Sequence, residues 1–128
     1  MAQNLLLDTH AAIWLLEGNA KLGEAARAAV ESAESVAISD ISLLEIAMLE
    51  ARGTIHLRPD AANALQAFSQ RLLVLPVDAR IAADAVRVPL PHRDPFDRVI
   101  TSTARVHGLT LVTKDRQITE ANVVSVIW

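Results

Sequence analysis

Short apolar runs alternate along the chain with longer segments of helical period. Leu5-Leu6-Leu7, ended by Asp8, predicts a buried strand. Thr9 to Glu17 reads as a helix stopped at Gly18-Asn19. Lys21 to Ser32 predicts a second, alanine-rich helix with its charges on one side, and Ser35 to Ser39 a second buried strand. Asp40 to Arg52 follows as a helix closed by Gly53 at the C′ position. Pro59 opens the next helix, which runs through Leu65 and Phe68 to about Arg71. Leu72 to Leu75 predicts a strand stopped by Pro76, and Asp78 caps a helix to about Val86. A loop from Pro89 to Arg93 leads into a helix from Pro95 to Val106, ended by His107-Gly108. Leu109 to Val112 then reads as a strand, Asp115 to about Thr119 as a helical turn, and Val123 to Ile127 as a last strand.

Strands that alternate with helices predict an α/β fold: three layers, with a central parallel sheet covered by helices on both faces. Right-handed crossovers fix where successive helices lie. In such sheets the binding crevice opens beyond the carboxyl ends of the strands. A chain of 128 residues without linker or repeat is expected to form one domain, residues 1–128.

Composition narrows the chemistry. The chain has no cysteine, which removes disulfides, thiolate zinc sites and thiol nucleophiles. No basic stretch precedes the first apolar run, and no run is long enough to span a bilayer, so a cytoplasmic protein with no membrane association is expected. The net charge of −3 argues against binding nucleic acid through a general basic field. It leaves room for a nuclease, because a metal ion in an acidic pocket supplies positive charge locally.

Four acids fall at the expected strand ends. Asp8 directly follows the first strand, Glu45 sits early in the helix after the second, Asp97 lies in the first turn of the helix at Pro95, and Asp115 follows the strand ending at Val112. Carboxylates brought together repel one another and resist ionisation unless a cation neutralises them. A hard divalent ion, Mg²⁺ or Mn²⁺ in its place, prefers such oxygen ligands and keeps several waters. One of those waters, made more acidic, can attack a phosphodiester. Each acid also has a capping reading. Asp8 and Asp115 can cap the helices they precede, Asp94 can cap a helix with Pro95 at its first position, and Asp40 and Ser42 can cap the third helix. Position alone leaves both readings open.

The wording of these segments adds a resemblance. Leu5-Leu6-Leu7-Asp8-Thr9-His10 with Trp14, Ser39-Asp40-Ile41-Ser42-Leu43-Leu44-Glu45-Ile46, and Leu111-Val112-Thr113-Lys114-Asp115 resemble three acidic motifs of PIN domains. His92-Arg93-Asp94-Pro95-Phe96-Asp97-Arg98-Val99-Ile100 closely resembles the remaining motif in the VapC-like toxin branch of that family. The four occur in the expected order and span nearly the whole chain. The resemblance implies a PIN-like fold and Mg²⁺- or Mn²⁺-dependent endoribonuclease activity, hydrolysing RNA through a metal-activated water. It also implies inhibition by a cognate antitoxin, commonly of a dimeric toxin. Carried over by residue, Asp8, Glu45, Asp97 and Asp115 match the acidic quartet, while Asp94 is left as the cap. Thr9 and Thr113, beside two acids, are candidates to orient carboxylates by hydrogen bonds. One departure from the usual small, apolar pattern is the hydroxylated stretch Thr101-Ser102-Thr103, which leaves Thr101 either supporting the site or facing solvent.

Arg93, Arg98, Lys114 and Arg116 flank two of the acids and are candidate phosphate contacts; their alternative is solvated charge at element ends. His10, His56, His92 and His107 show no paired metal-ligand spacing. Trp14 reads as core. A rival Mg²⁺ phosphoryl-transfer enzyme would want Asp-x-Asp after the first strand, where Asp8-Thr9-His10 stands, or an acidic pair that is missing. No Gly-x-Ser-x-Gly elbow supports a serine hydrolase. A non-catalytic module of the same fold is the remaining alternative, against which all four acids are present.

Overall fold

Leu5, Leu6 and Leu7 are all fully buried, and they point alternately to opposite faces of a sheet. In a computed structural model describing residues 3–128, they form β1 (Asn4–Leu7) at the centre of five parallel strands. The others are β2 (Ser35–Ser39), β3 (Leu73–Leu75), β4 (Thr110–Val112) and β5 (Val126–Ile127), in the order β3-β2-β1-β4-β5. Among the described residues seven helices connect or cover them: α1 (Thr9–Glu17), α2 (Glu24–Ser32), α3 (Asp40–Ala51), α4 (Ala61–Arg71), α5 (Ala79–Ala85), α6 (Pro95–His107) and α7 (Arg116–Ala121). The three-layer α/β architecture expected from the alternation of elements is the one observed.

Each face of the sheet carries its own core. Leu5, Leu7, Ile38 and Val112 pack with Ala11 and Ile13 of α1, Leu22, Ala26 of α2, Ile46 of α3 and Phe68 of α4. Leu6, Ala37 and Leu111 pack on the other face with Ile100 and Ala104 of α6 and Ile118 of α7. Burying a leucine side chain contributes about 1.5–3 kcal/mol, so the central strand is the anchor of both layers. The chain order turns around at β1: β2 and β3 extend to one side, β4 and β5 to the other. A crevice therefore opens between the C-terminal ends of β1 and β4, where Leu7 pairs with Val112 and the Asp8 amide donates to the Val112 carbonyl at 3.1 Å.

Several element boundaries differ from the sequence expectation. The second helix starts at Glu24 with Gly23 as its cap, because Lys21 and Leu22 belong to a turn whose Lys21 amide bonds the Asn19 side chain. Pro59 lies outside the fourth helix; Asp60 caps it by accepting from Asn63 N at 2.9 Å. Ser39, rather than Asp40 or Ser42, caps α3. Leu72, Leu109 and Val123 fall outside their strands, whose paired portions are shorter than the apolar runs that mark them. No helix among the described residues is long and apolar enough to cross a membrane.

Candidate active site

Asp8 enters the crevice because β1 ends and α1 begins on it. Its Oδ1 accepts from the Ala11 amide at 2.8 Å, and the Thr113 hydroxyl also bonds its carboxyl. Across the β1–β4 pair, Asp115 caps α7 through Oδ1, which accepts from Gln117 N at 2.8 Å and Ile118 N at 3.1 Å. Thr113 accepts from the Asp115 amide at 3.1 Å, so one buried threonine ties both acids to the end of β4. Both acids thus cap the helices that follow them and stand at the strand ends: Oδ1 of each faces helix amides, and Oδ2 of Asp115 meets His92.

Glu45 arrives from α3. The Thr9 hydroxyl donates to Glu45 Oε1, and Thr9 Oγ1 also lies 3.2 Å from Ser42 Oγ, fixing α1 and α3 to each other below the crevice. Asp97 arrives from α6, in the first turn after Asp94, whose Oδ1 accepts from Phe96 N at 2.9 Å with Pro95 at the helix start. The capping role of Asp94 and the site role of Asp97 are thereby separated within one turn.

The electrostatics show that the four acids share a neighbourhood. Burial raises the Asp8 carboxyl above the ordinary carboxylate range, against hydrogen bonds from Thr113 and Ala11 N, and the charge of Glu45 adds to the rise. Burial pushes Asp97 up to about 6, helped by the charges of Asp94, Glu45 and Asp115, with His92 opposing them. Partial burial also pushes on Asp115, but hydrogen bonds from His92 and from the Ile118 and Gln117 amides outweigh it and hold this carboxyl below its usual range.

His92 is the site residue that the sequence did not assign. Its Nε2 lies 2.7 Å from Asp115 Oδ2, and its Nδ1 is buried without a partner among the described residues. The signal was its place in the loop just before the α6 cap. Arg98, by contrast, does not face the crevice as a phosphate contact. Its guanidinium donates to the carbonyls of Ala85 (2.7 Å), Val88 (2.6 Å), Leu90 (3.1 Å) and His92 (2.8 Å), so the donors expected for phosphate are consumed in clamping residues 85–92 to α6. Thr101 is fully buried rather than solvent-facing, and its hydroxyl has no hydrogen-bond partner among the described residues. Arg93, Lys114 and Arg116 are exposed.

The donor set suits a hard cation: carboxylate oxygens only, two of them held above their normal range by burial and mutual charge. Among the described residues no three His, Asp or Glu side chains form a ready-made ligand shell. Carboxylate oxygens of this kind are ligands that Mg²⁺ or Mn²⁺ accepts together with water.

The sequence pattern of the PIN domain family matches residues 5–124. The chain belongs to the PIN domain family. It is 36% identical over 115 residues to Ribonuclease VapC22 of Mycobacterium tuberculosis (strain ATCC 25618 / H37Rv), covering 89% of this chain and 88% of that protein. Its fold is similar to a chain of VapBC2 from Rickettsia felis, solved bound to a DNA fragment from their promoter, with a TM-score of 0.71, 18% identity and 97% of each chain covered. It is similar also to a chain of a toxin–antitoxin complex from Klebsiella pneumoniae, with a TM-score of 0.69 and 22% identity over 97% of this chain and 96% of the other.

Proposed function

We propose that this chain is a Mg²⁺-dependent endoribonuclease, with Mn²⁺ as a substitute, that acts as the toxin of a toxin–antitoxin pair. The observation that carries the reading is the electrostatic coupling of Asp8, Glu45, Asp97 and Asp115 at one end of the sheet, in a chain 36% identical to a ribonuclease. Asp8, Glu45, Asp97 and Asp115 would hold the ion. When bound, Mg²⁺ neutralises the crowded carboxylates, draws charge from the phosphodiester and supplies a water acidic enough to act as nucleophile.

The chain's own residues prepare that site. Thr9 holds Glu45, Thr113 holds Asp8 and the Asp115 backbone, and His92 holds Asp115. Asp97 has no such tether among the described hydrogen bonds, and its carboxyl gives up its proton near pH 6, so at neutral pH it is charged and available. Lys114 and Arg116, flanking Asp115, and Arg93 near Asp94 are exposed cations that can meet substrate phosphates.

The partners in this reading are an RNA substrate and a cognate antitoxin protein, supported by solved neighbours that are toxin–antitoxin complexes. A homodimer in the cytoplasm completes it, and the exposed Val77 and Val86 beside α5 offer an apolar face for such contact. The test is incubation of the purified, antitoxin-free chain with labelled structured RNAs in Mg²⁺, in Mn²⁺ and in EDTA. Internal cleavage with either metal and none in EDTA is expected. No cleavage under any condition would leave a PIN-fold binding module.

A further inference from the structure

Beside the acids, on the side of α1, five residues cluster whose chemistry the metal site does not use. The Trp14 ring has His10 tilted against it at 5.8 Å and Trp128 edge-on at 5.7 Å. The ammonium groups of Lys21 and Lys114 each lie 5.9 Å from the centre of the same ring. Neither lysine forms a salt bridge among the described residues, where ion pairs involve only His92 with Asp115 and Arg105 with Asp84. Both lysines and His10 are exposed, while Trp14 is half-buried. A cavity of about 410 Å³ opens at this cluster, lined among others by His10, Trp14, Glu17, Asn19 and Lys21.

The cluster adjoins the reacting centre. His10 stands two residues after Asp8, and Lys114 immediately precedes Asp115. An aromatic surface flanked by unpaired cations is the combination that binds single-stranded nucleic acid: bases stack on the rings and ammonium groups track the phosphates. In a chain of net charge −3, two unpaired lysines on one tryptophan at the mouth of an acidic site concentrate positive charge where a polyanion would enter. A duplex hides its base faces, so such a surface selects unpaired segments.

We propose that His10, Trp14, Lys21 and Lys114 form a stacking platform that holds an unpaired nucleotide next to the phosphodiester presented to the acids. This deepens the ribonuclease reading and rests on it. The platform explains how an acidic protein can retain an RNA strand: contact is local, and selects single-stranded substrate by base faces rather than by sequence.

The experiment uses the full chain carrying Asp97→Asn to block cleavage, with a fluorescent oligouridylate, its abasic analogue and an RNA duplex as probes. The oligouridylate should quench tryptophan fluorescence and bind roughly 10-fold more tightly than the abasic strand or the duplex. Trp14→Leu should abolish that preference. Lys114→Gln, an exposed change that spares the fold, should weaken oligouridylate binding and reduce the salt slope by about 0.7. In the cleaving chain, the same two substitutions should raise KM more than they lower kcat. If wild-type protein cuts RNA while both variants keep affinity, salt slope and KM, the platform is wrong and the ribonuclease reading stands. If wild-type protein cuts no RNA, both fall together.

Discussion

His92 Nε2 lies 2.7 Å from Asp115 Oδ2, while the other oxygen of Asp115 accepts from the amides of Gln117 and Ile118. Both oxygens of this acid are thus held, and its carboxyl stays ionised more readily than those of Asp8 and Asp97. His92 is in turn placed by Arg98, whose guanidinium binds the His92 carbonyl at 2.8 Å. A line of contact runs from α6 through the loop to the far side of the crevice.

Loss of the imidazole should loosen Asp115. His92→Ala is expected to weaken Mn²⁺ binding, measured by calorimetry, by about 10-fold or more. His92→Gln, which can offer an amide N–H in place of Nε2, should recover part of it. Equal metal affinity in wild type and His92→Ala would show that the contact does nothing for the site.

Arg98 is a stability residue in this structure, because four carbonyls lose their donor if it is removed. Arg98→Lys keeps the charge but cannot reproduce the planar fork. It should cost about 2–4 kcal/mol, read by denaturant unfolding. RNA affinity measured on the folded fraction should show no lost phosphate contact in its salt dependence. A salt slope reduced as by Lys114→Gln would restore the phosphate role.

The layered fold was legible because its signals are local and repeat: Leu5-Leu6-Leu7 and Leu111-Val112 are too short and too apolar for anything but central strands. Four of the caps were legible for the same reason, with Asp8, Asp78, Asp94 and Asp115 standing just before their helices. Asp60 was missed because Pro59 is an equally good opening residue on paper. The roles of Arg98 and His92 depend on how the 85–92 segment folds back on α6, a tertiary event with no periodic signature. Trp14 read as core, and it does pack against the core on that face of the sheet; only tertiary placement brings Lys21 and Lys114 to its ring.

Asp97 makes a pH dependence with a defined sign. Its folded carboxyl titrates at about 6, above the unfolded value of 3.8, so the metal-free folded protein holds the proton more tightly. Stability is then lost as pH rises from about 4 to 6 and is flat above, the reverse of an ordinary salt-bridged carboxylate. Solvent screening at this half-buried group leaves roughly 1 kcal/mol, a few degrees in Tm. Asp97→Asn should therefore melt higher than wild type at pH 7 without metal, with the gap closing by about pH 4. Asp8 acts in the same direction, whereas Asp115, held low, contributes stability that is lost only as pH falls below its unfolded value of 3.8. Added Mg²⁺ should raise the Tm of wild type at pH 7 and leave Asp97→Asn nearly unmoved. A wild-type Tm above that of the variant at pH 7 without metal would refute this account.

Gly23 is where Trp128 seats. A Cβ there would stand 2.7 Å from the Trp128 backbone carbon and 2.8 Å from its indole, while the backbone itself, at φ −57°, would accept alanine. Gly23→Ala should thus act through sterics alone, displacing Trp128 from Trp14 at a cost of about 1–3 kcal/mol. Thermal melting and tryptophan emission report both effects; an unshifted emission would mean that the indole contact survives.

The central claim is that the acids act as a metal site and not only as caps, and two residues in one helical turn separate these roles. Rates of Mg²⁺-dependent RNA cleavage should be compared for wild type, Asp97→Asn and Asp94→Asn. Asparagine still caps a helix, so Asp94→Asn should keep most of the activity. Asp97→Asn should lose at least 100-fold, on the order of what an essential ligand supplies. Equal rates for wild type and Asp97→Asn would contradict the account, and cleavage that persists in EDTA would contradict it outright.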